Sequence, residues 1–149
     1  MKLSKNFELD EFTLSQTAVR NGIENTPNSD VIKNIIILCV NVLQPLRNKL
    51  GEPIVITSGY RSEKLNRIIG GADDSQHCKG EAADIIVPGM QACELYAFIL
   101  KSSIKYDQVI LEFNSWVHIS FKQRSNRHRA LLTKRIVGKI VYEENFETV

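Results

Sequence analysis

The sequence predicts an α+β fold in which helices pack against a mainly antiparallel sheet. Helical periodicity is concentrated in the first third of the chain, β-branched runs follow it, and only one long helical stretch interrupts the later strands. A repeating strand–helix order, which would demand a parallel sheet, is absent.

Phe7, Leu9 and Phe12 give an N-terminal segment, 1–28, its apolar anchors. Ser15 is placed to cap a short helix ending at Gly22, and Pro27 closes the segment. Asn28, Ser29 and Asp30 offer caps for a long core helix, in which Val31, Ile35, Leu38, Val42, Leu46 and Leu50 recur at spacings of three and four. Pro45 is expected to bend or split this helix near Leu43, and Gly51 with Pro53 to end it. Residues 54–57 are rich in β-branched side chains between Pro53 and Gly59, the pattern of a buried strand. A short helix is expected over 61–69, a loop over 70–75 that carries on to His77, and a second strand over 83–87, stopped by Pro88 and Gly89. A helix over 91–102 precedes two strands, 109–113 and 116–121, whose polar separation signals a hairpin, and 136–142 adds a last strand.

With 149 residues, 43% apolar and 24% charged, the chain has the composition of one globular domain over 1–149. Eight Gly and four Pro exclude collagenous and low-complexity classes. No uninterrupted apolar run reaches the roughly 20 residues of a membrane span, so no membrane insertion is expected. The first ten residues lack the apolar core of a secretory signal, so synthesis in the cytoplasm is expected. Three cysteines, Cys39, Cys78 and Cys93, form no CxxC pair, which argues against a disulfide framework and a thiolate zinc site. A metal would have to be held by histidine and carboxylate.

Net charge is +2, unevenly spread. Lys122, Arg124, Arg127, Arg129, Lys134, Arg135 and Lys139 have no acid among them, within a basic C-terminal segment, 122–149, to which no role is assigned. Such a strip attracts polyanions or is simply a solvated face. Nucleic acid is not the expected partner, because aromatic residues do not interleave with the charges and no binding-module motif is present.

Two of the three histidines stand in unusual company. His77 lies just before a strand that opens with Asp84, and His118 lies mid-strand between Val117 and Ile119. An imidazole in an apolar strand is either a hydrogen-bonded core residue or a ligand. Three ligands from His77, Asp84 and His118 would match a catalytic zinc site, and two imidazoles favour zinc over magnesium or calcium. Gly80 allows a close turn between His77 and Asp84. Arg61, on a strand-to-helix turn, and Glu112, across the proposed hairpin from His118, would bring a cation and a base to the same pocket. Each also reads as an ordinary surface residue.

These pieces resemble one family. SGYRSEKLN (58–66), SQHCKGEAAD (75–84, against the pattern SxHxxGxAxD) and WVHIS (116–120) are similar to the zinc D-alanyl-D-alanine carboxypeptidases and related phage cell-wall endopeptidases with the hedgehog-like fold. NFELDEF, TAVRNGIENTP and LQPLRNKLGEPI resemble the short phage-encoded branch, so the likeness runs from about residue 5 to 122. It implies His77, Asp84 and His118 as zinc ligands, Arg61 as the group polarising the scissile carbonyl, and Ser75 and Trp116 as substrate contacts. Several members place a catalytic Glu three residues before the last His, where this chain has Ser115, and Glu112 is the carboxylate that takes the role here.

The implied activity is zinc-dependent hydrolysis of an amide bond in peptidoglycan stem peptides, by a D-Ala-D-Ala carboxypeptidase or an L-Ala-D-Glu-type endopeptidase. A phage or prophage lysin is expected, monomeric, reaching the wall through a pore or in a virion. A non-catalytic zinc-containing wall-binding or virion structural domain is the alternative. Cys78 is not expected to be a nucleophile, since both eligible histidines are engaged. Glu112 shares a face with His118 only if the hairpin turn holds an odd number of residues or carries an equivalent bulge. Otherwise the base is sought among Asp73, Asp74 and Glu81.

Overall fold

The computed structural model describes residues 1–145. Residues 146–149 of the expected C-terminal segment lie outside it. At the start, β1 (Lys2–Ser4) and β2 (Phe7–Glu8) form a small antiparallel ribbon, followed by α1 (Asp10–Thr13) and α2 (Gln16–Arg20). The Ser15 hydroxyl accepts from the Ala18 N–H and caps α2, as expected.

Asn28 caps α3 (Ser29–Leu38) through the Val31 N–H. The helix passes through a π-helical turn, Cys39–Leu43, into α4 (Gln44–Leu50). Pro45 has no N–H to return to Asn41, and the wider turn before it lets the Gln44 N–H reach the Cys39 carbonyl. The expected break is therefore a bulge in one continuous rod. By length and composition alone that rod, Ser29–Leu50, is apolar enough to cross a membrane. Its Leu38, Cys39, Val42, Leu43 and Leu46 are instead buried in the core of the protein.

β3 (Val55–Ser58), α5 (Glu63–Ile69), α6 (Gln76–Lys79), β4 (Ala82–Ile86) and α7 (Ala92–Lys101) follow. Then come β5 (Gln108–Glu112), β6 (Trp116–Ser120), β7 (Arg129–Ile136) and β8 (Lys139–Glu144). β3 is not the buried strand expected: it lies at the edge of the sheet, with Val55 40% exposed. Nor does a single strand cover 136–142. Val137 and Gly138, both at positive φ, make the tight turn between β7 and β8.

The six strands are ordered β3-β4-β6-β5-β7-β8. β5 and β7 run parallel, so the α+β class stands but the sheet is mixed rather than mainly antiparallel. The cause is a crossing. After β6 the chain passes β5 and enters β7 from the same end as β5. Asp107, completely buried at that end, pins the crossing. Its Oδ1 accepts from the Arg127 N–H at 2.8 Å, its Oδ2 from the Arg127 guanidinium at 2.7 Å and from Gln76 at 3.1 Å, and its carbonyl from the Arg129 N–H.

Burial alone would raise the Asp107 carboxyl, but the Arg127 hydrogen bonds and charge, with Lys122, hold it down at about 2. A depressed pKa means that this stability is complete above the ordinary value of 3.8 and is lost as pH falls towards 2. Asp107→Asn is expected to lower unfolding free energy at neutral pH by about 2–3 kcal/mol and to flatten that acid limb. Urea titrations of both proteins from neutral pH to pH 2 test this, and identical curves would remove the clamp.

One face of the sheet is core. Ala83, Ile119, Val109 and Ala130 lie in one cross-strand row and Ile85 beside Val117 in the next, all buried with the long rod and with Leu95 and Ile99 of α7. Alternation turns the intervening residues to the opposite face, where the polar groups gather.

Candidate metal centre

On that opposite face, one register row reads Ser58, Asp84, His118, Ile110, Leu131 and Glu144 across all six strands. Asp84 and His118 are thus direct neighbours on β4 and β6. His77 reaches them from above. It sits on the single turn of α6 rather than in a loop, because Ser75 caps that turn by accepting from the His77 N–H. Gly80 ends the turn at φ +75, where a Cβ would come within 2.6 Å of the Val31 carbonyl oxygen. A larger residue would therefore lift α6, and His77 with it, away from α3.

His77 Nδ1 lies 2.7 Å from the Gly59 carbonyl, so it carries the proton and leaves Nε2 as a lone pair. That Nε2 is 3.2 Å from His118 Nδ1 and 3.2 Å from Asp84 Oδ1, and the last two are 3.0 Å apart. Zinc bonds of about 2.0–2.2 Å at tetrahedral angles separate ligand atoms by about 3.3–3.5 Å. The triangle is slightly tighter than that, and its two imidazole nitrogens and one carboxylate oxygen are the donor chemistry such an ion takes. His77, Asp84 and His118 therefore fit a divalent metal.

Burial pushes His77 down, towards the neutral imidazole a metal needs, despite Asp84 beside it. Asp84 shows the reverse balance: burial would raise it, but the two imidazoles hold its carboxyl well below the usual range. Its second oxygen faces Arg61 at 3.5 Å. Arg61 is itself held by Ser58 Oγ and by Asn66 Oδ1, both at 3.2 Å, while buried Asn66 donates to the Ala72 carbonyl. The arginine thus steadies a member of the triad as well as facing the cleft.

That cleft, about 520 Å³, is bordered by Arg61, Asp74, Ser75, His77, Asp84, Glu112, Trp116 and His118. Asp73 and Glu81 are not on its wall. Ser75 works as the cap of α6 and also faces the cleft. Trp116 packs on Phe113 and also borders the cleft. The hairpin turn holds three residues, Phe113 to Ser115, since Glu112 pairs with Trp116 and Ile110 with His118. Glu112 therefore shares the face of His118. Burial pushes its carboxyl up, with His118 opposing and Asp84 adding to the rise.

Sequence reasoning missed the far wall. Arg127, Arg129, Leu131 and Tyr142 complete it, so the basic strip is not a single solvated face apart from the site. Arg127 is tied to Asp107, Arg129 pairs with Glu144, and Lys134 with Glu143. Gln108 and Ile110 were missed as well, and for them the usable signal was alternation: with Glu112 they lie two apart on β5, and all three line the cleft.

A family model described as Peptidase M15 matches residues 5–120. The zinc D-Ala-D-Ala carboxypeptidase of Streptomyces albus G is 39% identical over 54 residues, which are 36% of this chain and 21% of that protein. The chain thus aligns with about a fifth of that relative's length. The family match takes in every strand that carries the His–Asp–His triangle, and the hairpin of β7 and β8 lies beyond it. This chain belongs to the Peptidase M15 family.

Proposed function

We propose that the protein is a zinc peptidase that hydrolyses an amide bond in peptidoglycan stem peptides. The observation that carries this reading is the triangle of His77 Nε2, His118 Nδ1 and Asp84 Oδ1, with edges of 3.0–3.2 Å, at the floor of an open cleft. Membership of Peptidase M15 and the likeness to a zinc D-Ala-D-Ala carboxypeptidase support the metal and the substrate class.

His77, Asp84 and His118 would hold the ion. When bound, zinc makes water a stronger acid and polarises the carbonyl under attack. Glu112 takes the proton of the attacking water and returns it to the leaving amine nitrogen. The Arg61 guanidinium stabilises the negative charge that develops on the carbonyl oxygen. Ser75 and Trp116 border the bound peptide. Nothing in this scheme needs a covalent enzyme intermediate, and Cys78 has no part in it.

The finer assignment is a D-Ala-D-Ala carboxypeptidase or an L-Ala-D-Glu-type endopeptidase, acting as a monomeric lysin of phage or prophage origin from a single domain. It rests on the motif resemblance. Mass spectrometry of purified stem peptides after incubation with the zinc-loaded protein tests the reading. Loss of a terminal D-Ala marks a carboxypeptidase, and an internal cut an endopeptidase. Stoichiometric zinc with every peptide left intact would refute hydrolysis and point to a wall-binding domain.

A further inference from the structure

The hairpin of β7 and β8 lies beyond the family match, yet it extends the face that carries the triad. The register row next to that of His118 reads Trp116, Glu112, Thr133 and Tyr142. Thr133 stands directly beside Glu112 on the parallel partner strand, and its carbonyl accepts from the Phe113 N–H at 3.0 Å.

Thr133 is 4% exposed, and its Oγ1 is the buried side-chain polar atom that has no hydrogen-bond partner among the described residues. A buried hydroxyl left unbonded costs about 1–3 kcal/mol, so such a group calls for an explanation. Valine would fill the same space in a strand without that cost. The nearby carboxylate supplies the explanation. The hydroxyl is near enough to favour the charged form of Glu112, although it falls short of a formed hydrogen bond. The Glu112 charge is felt on β8 as well, where it adds to the burial that pushes the Tyr142 phenol up.

We propose that Thr133 is a positioning residue for Glu112: its O–H donates to one carboxylate oxygen and so presents the other to the cleft. The inference rests on Glu112 being the base, and it gives the appended hairpin a part in catalysis. The hydroxyl contributes no proton to the reaction. It restricts the rotation of a flexible side chain whose other neighbours in the row are Trp116 and the strand backbone.

Thr133→Val keeps the shape and removes the donor, while Thr133→Ser keeps the donor. Thr133→Val is expected to lower kcat on a stem peptide by about tenfold, the scale of one hydrogen bond to a charged group, with KM little changed. Thr133→Ser should restore kcat. A purely structural threonine predicts that neither variant changes kcat.

Crystal structures of the metal-free proteins give a readout that needs no activity. Wild type and Thr133→Ser should hold a Glu112 oxygen about 2.7 Å from the hydroxyl, and Thr133→Val should release it to other rotamers. An unmoved Glu112 in Thr133→Val, or a Thr133 hydroxyl bonded elsewhere in wild type, overturns the proposal. Should wild-type protein cleave no stem peptide, the functional reading falls, and the crystal comparison still decides the role of Thr133.

Discussion

His118→Ala is expected to lose zinc and hydrolysis together while keeping its fold. The imidazole lies on the cleft face of β6, between Val117 and Ile119, which are fully buried on the other face and hold the strand in place. Alanine leaves those contacts intact. It also leaves His77 Nε2 and Asp84 Oδ1 as two ligands, where an open catalytic site needs three. Zinc binding by structural sites amounts to about 10–16 kcal/mol, so one ligand among three or four is worth several kcal/mol. Affinity should fall by at least about a thousandfold, the equivalent of about 4 kcal/mol. In the wild type, acid should release the metal as pH drops through about 6, because protons compete for the imidazoles. Burial delays that competition at His77 by favouring its neutral form. Metal analysis after dialysis reads the outcome, and full zinc occupancy in His118→Ala would take His118 out of the site.

The residues of this triad are legible in the sequence because each stands in a local pattern. His77 and Asp84 stand in SQHCKGEAAD around a glycine that permits a close turn, and WVHIS is an alternating strand with its one imidazole on the polar face, whereas the helical turn that Ser75 caps was not expected. The parallel β7 has no such signature. In RALLTKRI, the Ala130 and Leu132 side face the core while Leu131 and Thr133 are covered on the cleft side, so the apolar residues run together instead of alternating. The crossing that makes β7 parallel depends on Asp107 meeting Arg127, twenty residues along the chain. No window of local periodicity contains such a contact. Pro45 announces an interruption, but whether it appears as a kink or as a π-helical turn is decided by the core that Leu43 and Leu46 join. The far wall of the cleft was hidden for the same reason as β7, since it is built on that hairpin.

Glu112→Gln is expected to keep zinc and fold and to lose most hydrolysis, by about 10²–10⁴-fold, the usual contribution of a positioned acid–base group. Two residues in the hairpin turn would have set Glu112 opposite Val117 and pointed it into the core. Three residues set it opposite Trp116, with Phe113 and Asn114 both at positive φ to close the loop. Glu112 is then the diagonal neighbour of His118, at about 7–8 Å, which leaves room for a water between the carboxylate and the triad. Half-burial pushes the carboxyl up from its ordinary value, nearer the working range of a base at neutral pH, yet His118, Thr133 and Arg61 still favour its charged form. Glutamine matches the carboxylate in size, but it cannot take a proton from water. Its effect should therefore fall on kcat, with zinc content and melting temperature held. A fully active Glu112→Gln protein would assign the proton to another group, and Asp74 would become the leading carboxylate, because it borders the cleft while Asp73 and Glu81 do not.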